Sequence, residues 1–302
     1  DLDEEIEYVG YLRPGSLQAG RLEGWPVHDR LRWVETPRWL MPCRGAWDRL
    51  DLYHGPNFKM PTTGRSGGIV TIHDLWLARH PEYSRKLLGQ AGSSRRAIAT
   101  AKRARRVVTV SEFSAREIEA LYGIPRERVV VIHNGVTEEF SPVQDEQGMA
   151  VLRARWAIPS AGFILFVGGA DPRKNHRVFL QAVAQSRSQL GGRAILLVGD
   201  AEHPQGSYLA TARSLGLEKD VRCTGRLNRE DLCRLYSYAE VFVFPSLYEG
   251  SGMSVLEAMA CGTPVAAFPV TGPVDVVRQG TTGMMSEDLR GAALAALDLD
   301  RD

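Results

Sequence analysis

Residues 241–264, VFVFPSLYEGSGMSVLEAMACGTP, limit the possible folds more than any other stretch of the chain. The apolar run Val241-Phe-Val-Phe predicts a strand buried on both faces, as in a parallel sheet. Gly250 and Gly252 predict a tight loop that comes close to other backbone. Good helix formers run from Met253 to Cys261, and Gly262 and Pro264 then stop the helix. A strand, a glycine loop and a helix N-terminus in this order are one unit of an open α/β sheet.

The two glutamates in that unit have different tasks. Glu249 lies in the loop at the carboxyl end of the strand, where open α/β sheets bind ligands. Glu257 lies inside the helix. At about 100° per residue, Val255, Leu256, Met259 and Ala260 share one face, while Ser254 and Glu257 share the opposite one. The N–H groups around Gly252, Met253 and Ser254 form a helix-terminal anion site suited to phosphate. A carboxylate for hydroxyls, amides for phosphate and a second carboxylate for a ribose together describe a pocket for a nucleotide sugar.

The stretch resembles the E-x7-E signature of retaining glycosyltransferases with the two-domain GT-B fold, in particular the large family 4 group. The match runs through Pro245-Ser246, Glu249-Gly250, Gly252, Leu256 to Gly262 and Pro264-Val265. A buried βα unit carrying two solvated glutamates could share the spacing, but it would not need a Gly-x-Gly before its helix. The family usually places an aromatic residue between the two glycines, where Ser251 stands here.

Other segments extend the resemblance. Ile69 to Ile72 reads as a β-branched strand ending in His73-Asp74. The resemblance places His73 beside the reacting end of the sugar donor, and the plainer reading is a histidine next to a helix cap at Asp74. Residues 161–169 read as a strand ending in Gly168-Gly169, followed by Asp171-Pro-Arg173-Lys174-Asn175 and a helix over 178–190. A glycine pair with cations opposite suits a diphosphate, and the resemblance assigns the donor-phosphate lysine to Lys174. The family often has an arginine where Gly169 stands, a contact that Arg173 could take over. Two solvated cations on a loop are the alternative. The resemblance makes Arg226 and Leu227, after the strand 221–225, candidates for contact with the nucleotide base. No Gly-x-Gly-x-x-Gly is present, which disfavours a dinucleotide site.

Hydrophobic patterning predicts the remaining elements. Strands are expected at 8–12, 106–111, 128–133, 193–198 and 265–268. Helices are expected at 85–106, 111–122, 208–215 and 231–239. Residues 31–39 and 47–53 read as a helix followed by a strand. The alternation resets after Pro142. This predicts two doubly wound, Rossmann-like domains, 1–142 on the acceptor side and 143–302 on the nucleotide-sugar side, facing each other across a cleft. Family members usually begin with a strand and glycine-rich loop before a segment like 8–12, and end with a helix crossing back to the first domain. The resemblance therefore implies a chain lacking both terminal elements.

Composition narrows the class. The 302 residues are 44% hydrophobic and 24% charged, with net charge +1, which argues against nucleic acid as a partner. The four scattered cysteines read as reduced thiols in a cytoplasmic protein. No apolar run approaches the length of a membrane span. Arg95, Arg96, Lys102, Arg103, Arg105 and Arg106 could meet anionic headgroups at the membrane surface, or form a solvated helix face favoured by the helix dipole. D-x-D occurs only at the chain ends, so no metal is expected, and no other cofactor.

The function expected is that of a retaining, metal-independent glycosyltransferase. Its donor would be a nucleoside-diphosphate sugar, with GDP-mannose preferred because the Pro-Arg-Lys-Asn loop and the His-Asp-Leu strand end resemble those of mannosyl-type members of the family. Its acceptor would be a glycan or glycolipid. His73, Lys174 and Glu249 are the expected catalytic group. A GT-B epimerase of nucleotide sugars and a non-catalytic nucleotide-sugar-binding remnant are the rival readings.

Overall fold

The computed structural model describes residues 6–16, 29–37, 39–60, 67–83, 90–203, 206–270 and 272–298. In chain order the elements are β1 (Tyr8–Leu12), β2 (Leu31–Glu35), α1 (Met41–Trp47), β3 (Leu52–Gly55), β4 (Gly67–Ile72), α2 (Trp76–Arg79), α3 (Gln90–Arg103), β5 (Arg106–Thr109), α4 (Glu112–Tyr122) and β6 (Val129–Val131). They continue with α5 (Glu146–Trp156), β7 (Phe163–Val167), α6 (His176–Gln185), β8 (Ala194–Val198), the short pair β9 (Glu202–His203) and β10 (Gly206–Ser207), α7 (Tyr208–Ser214), β11 (Val221–Gly225) and α8 (Arg229–Tyr238). The last are β12 (Val241–Phe244), α9 (Met253–Ala260), β13 (Val265–Ala267), β14 (Gly283–Met285) and α10 (Leu289–Ala296).

The chain divides into two compact units. One comprises residues 1–72, 81–108 and 119–130, and the other residues 73–80, 109–118 and 131–302. The first unit holds a parallel pair, β1 with β2, and most of a four-stranded sheet in the order β3-β4-β5-β6. Asp48 anchors the pair's end of this unit, accepting from the Tyr11 hydroxyl at 2.5 Å and from Arg32 and Arg44 at 3.1 Å each. Residues 31–39 do not form the expected helix. Leu31–Glu35 instead pairs in parallel with β1, its aromatic Trp33 and β-branched Val34 suit a strand, and Pro37 follows its end. The helix of this region is α1, further along. Of the basic helix expected at 85–106, α3 supplies 90–103, and residues 85–89 lie outside the described residues. So do the D-x-D sequences at the chain ends, except Asp298.

The second unit is built on a six-stranded sheet in the order β11-β8-β7-β12-β13-β14, with every pairing parallel. Chain order within it runs outward from β7 in one direction and then outward from β12 in the other. The winding therefore reverses between β7 and β12, and the carboxyl ends of those two strands frame a ligand crevice. The central strands are apolar throughout because both faces are covered. Phe163, Leu165, Phe242 and Phe244 point into a core shared with α5, α8 and α9. Ile164, Phe166, Val241 and Val243 point into the opposite core, under α6, α7 and α10. The sequence pattern did not single out β14 or α5, whose N-terminus Asp145 caps by accepting from Gly148 N at 2.9 Å.

Candidate functional site

The chain that leaves β7 turns at Gly168-Gly169 and enters a 3-10 turn, Pro172–Lys174. Asp171 caps this turn, accepting from Arg173 N at 2.8 Å, and Pro172 sets its first position. Asn175 closes it in the left-handed region at φ 54° and leads into α6. The turn holds Arg173 and Lys174 side by side towards the loop that follows β12. Leu247 N donates to Arg173 O at 2.9 Å, so the two loops are joined through backbone.

Glu249 receives both cations. Lys174 Nζ donates to Oε1 at 2.7 Å, and Arg173 reaches Oε2 at 2.7 Å. The glutamate side chain is 11% exposed, the lysine 18% and the arginine 21%, so the three charges interact in a partly dehydrated setting. Lys174 Nζ also lies 5.4 Å from the centre of the Phe244 ring, at the end of β12.

After Glu249 the loop passes beneath His73. Gly252 takes a left-handed conformation at φ 70° as the N-cap of α9, whose first intrahelical bond runs from Val255 N to Gly252 O. Glu257, one turn in, accepts from the Tyr236 hydroxyl at 3.0 Å. Burial pushes the Glu257 carboxyl above the usual carboxylate range, against the opposing pull of Tyr236, Arg229 and Lys174.

His73 and Asp74 follow β4 directly. Asp74, one residue before the N-cap Leu75, accepts from Trp76 N at the start of α2 at 3.0 Å. Leu75 N donates to the Tyr248 hydroxyl at 3.1 Å, and the Tyr248 ring packs on Trp76 and Phe113 with centroids 5.7 and 5.3 Å apart. The residue before Glu249 is thus fastened to the segment that carries His73.

These groups line one cavity of about 400 Å³. Its walls hold His73, Asp74, Gly168, Lys174, Glu249, Gly250, Ser251, Gly252, Met253, Ser254 and Glu257, with Val110, Asn134 and Val167. Ten of the expected site residues are gathered here, and four are not. Gly169 follows Gly168 but does not line the wall. Arg173 acts from behind, on Glu249. Arg226 turns away to a bidentate pair with Asp200, its side chain 81% exposed, and Leu227 packs on the core beneath β12. Among the described residues no cluster of His, Cys, Asp or Glu could hold a metal ion.

Asn134 was not anticipated as a wall residue. Its side-chain amide donates to Ser251 Oγ at 2.7 Å, 117 positions away in sequence. Its only local signal is the Asn-Gly-Val turn. Tyr236 and Tyr248 were missed for the same reason: each meets its partner from another element.

Comparison with known proteins identifies the family. Residues 161–302 match the family described as glycosyl transferases group 1, and residues 5–140 match Glycosyltransferase Family 4. The chain is 32% identical over 261 residues to O-antigen chain mannosyltransferase B of Escherichia coli, covering 84% of this chain and 67% of that protein. It is 35% identical over 286 residues to a D-inositol 3-phosphate glycosyltransferase of Streptomyces bingchenggensis, covering 90% of this chain but 56% of that protein. Against the serotype-specific mannosyltransferase WbdA of Escherichia coli it is 32% identical and spans 22% of that protein's length. Among solved structures, that of Anabaena HepE in complex with UDP superposes with a TM-score of 0.72 at 20% identity, over 96% of this chain and 85% of that one. WaaG, a glycosyltransferase involved in lipopolysaccharide biosynthesis, superposes with a TM-score of 0.69 at 16% identity, over 96% of this chain and 89% of that one. The chain belongs to the family 4-like, group 1 glycosyltransferases of the GT-B fold.

Proposed function

We propose that the chain transfers a hexose from a nucleoside-diphosphate sugar to an acceptor hydroxyl on a glycan or glycolipid, with GDP-mannose as donor and the anomeric configuration retained. One observation carries this reading: a single cavity wall holds Lys174, Glu249, the N-terminus of α9 and Glu257. In this reading the α9 terminus and Lys174 hold the diphosphate, Glu257 the ribose and Glu249 the sugar hydroxyls. The bond from the anomeric carbon to the diphosphate breaks as the acceptor oxygen bonds that carbon from the same face. The acceptor proton passes to the departing phosphate oxygen. Charge accumulates on the diphosphate as this happens, and preorganised cations and amides stabilise it. His73 lines the same wall and would sit by the reacting carbon. Relatives named as mannosyltransferases support the mannose donor, whereas the UDP of the HepE structure favours testing both bases.

Thermal shift with GDP, UDP, GDP-mannose and UDP-glucose tests the donor, since a ligand bound only by the folded chain raises Tm. GDP-mannose should give the largest shift. Incubation with labelled donor then separates the chemistries. A glycoside of retained configuration supports the reading. Free epimer, or binding without turnover, overturns it, as does no shift with any of the four.

A further inference from the structure

Glu257 can serve a ribose only if its carboxylate is held at the cavity wall, and its helix neighbours do not hold it. The group that does comes from α8. Tyr236 is completely buried, and its ring lies in edge contact with Phe242 at 5.5 Å and Phe140 at 6.1 Å. Its carbonyl accepts from the Thr263 hydroxyl, just beyond α9. The ring is therefore packed on two sides and its backbone is tied to the end of α9, and its hydroxyl donates to Glu257 Oε2, 3.0 Å away. We propose that Tyr236 is a positioning residue for nucleotide binding, which fixes Glu257 through Oε2 and so leaves Oε1 to face the ribose hydroxyls. The proposal rests on the reading of Glu257 as the ribose ligand.

The electrostatics agree with the geometry. Burial pushes the Tyr236 phenol far above its ordinary range, so it stays a proton donor at every physiological pH. A phenol donating to a carboxylate makes a charge-assisted bond, stronger than a neutral one. The groups that bear on Glu257 are Tyr236, Arg229 and Cys233 from α8, Lys174 from the turn after β7, and Cys261 at the end of its own helix. Of these, Tyr236 is the one whose hydrogen bond opposes the effect of burial.

The test is a calorimetric titration with GDP and with UDP, across acidic to neutral pH, of the parent, Tyr236→Phe, Glu257→Gln and the double variant. Phenylalanine keeps the ring and removes only the hydroxyl. Tyr236→Phe should weaken binding roughly tenfold, the loss expected for a hydrogen bond to a charged group. It should also move the acidic loss of binding to higher pH, because the carboxylate loses a group that favoured its charged form. In the Glu257→Gln background the same change should cost less, because the bond lost there is to a neutral amide carbonyl, and it should leave the acidic limb unmoved. If Glu257→Gln binds both nucleotides like the parent, the ribose assignment itself fails. If Glu257→Gln weakens binding while Tyr236→Phe changes neither affinity nor the acidic limb, the positioning role alone falls. Should Tyr236→Phe fail to fold while the double variant folds, the coupling is read from stability and supports the proposal. Failure of both to fold makes Tyr236 a core residue only.

Discussion

The carbonyl oxygen of His73 lies 1.9 Å from the point where a Cβ on residue 250 would stand. No side chain tolerates that approach, so Gly250 is the residue that lets the Glu249 loop pass against the end of the His73 segment. Gly250→Ala must push the loop and the strand end apart. Overpacking of this kind costs about 1–3 kcal/mol, read as a lower Tm. It should also weaken donor binding, because Glu249 moves with the loop. Gly135 is the control: a Cβ there meets nothing within 4 Å. Gly135→Ala should leave both quantities near those of the parent. Equal behaviour of the two variants would contradict the close approach.

The pairing of Glu249 with both Lys174 and Arg173 predicts a divided effect. Glu249→Gln keeps the shape and removes the charge, leaving two partly buried cations without their counter-ion. Stability should fall by about 1–3 kcal/mol, the scale of hydrogen bonds to charged groups. A free nucleoside diphosphate supplies replacement negative charge, so its affinity should be kept or improved. The intact nucleotide sugar, which needs the carboxylate for its hydroxyls, should bind more weakly. Calorimetry with GDP and GDP-mannose checks this. Parallel weakening of both ligands would refute the division of tasks.

What the sequence made legible is what local chemistry determines. The stretch 241–264 folds as expected because each feature acts on its near neighbours: the apolar run, the loop glycines, the helix formers and the stop at Gly262. The loop at residues 171–175 was legible as a loop, and Asp171, Pro172 and Asn175 shape it within a few residues into the Pro172–Lys174 turn. Leu31–Glu35 was misread because a five-residue run carries too little periodicity to separate a strand from a helix, and its pairing partner β1 lies some twenty positions away. Asn134 on Ser251 and Tyr236 on Glu257 were beyond reach in principle, since tertiary folding alone brings these side chains together. Arg226 was nominated by resemblance, and its nearest acid, Asp200, claims it instead.

The basic side chains around α3 carry a further expectation. Arg95, Arg96, Lys102, Arg103, Arg105 and Arg106 are all exposed. The carbonyls of Ala101, Lys102 and Ala104 at the end of α3 accept from the Arg128 guanidinium, while Arg103 donates to Met60 O at 3.5 Å and Arg106 to Arg105 O at 3.1 Å. Each basic residue near an anionic surface contributes about 1 kcal/mol. Co-sedimentation with vesicles should therefore rise with anionic lipid and fall with added salt. Arg95→Glu with Arg96→Glu should reduce it by more than tenfold. Binding indifferent to lipid charge would identify this helix as an ordinary solvated face. No helix among the described residues is long and apolar enough to cross a membrane.

Glu257 sets function against stability. Burial raises its carboxyl above the unfolded value, so the folded chain holds this proton to higher pH than the unfolded chain does. The sign follows from the proton count: where the folded state binds more protons, stability falls as pH rises. Below the unfolded carboxyl's range both states are protonated and Glu257 carries no charge penalty. The penalty develops between the unfolded and the raised folded value, and it is complete above the latter. Glu257→Gln has no such charge, and its side-chain carbonyl can still accept from Tyr236. The variant should therefore melt higher than the parent at neutral pH, and the gap should narrow as pH falls into the carboxyl range. The same substitution should weaken binding of GDP or UDP roughly tenfold or more. Tm measured against pH, beside one nucleotide titration of each protein, checks both halves. A variant that melts lower at neutral pH and binds nucleotide as before would show a carboxylate held for the fold, with no part in the site.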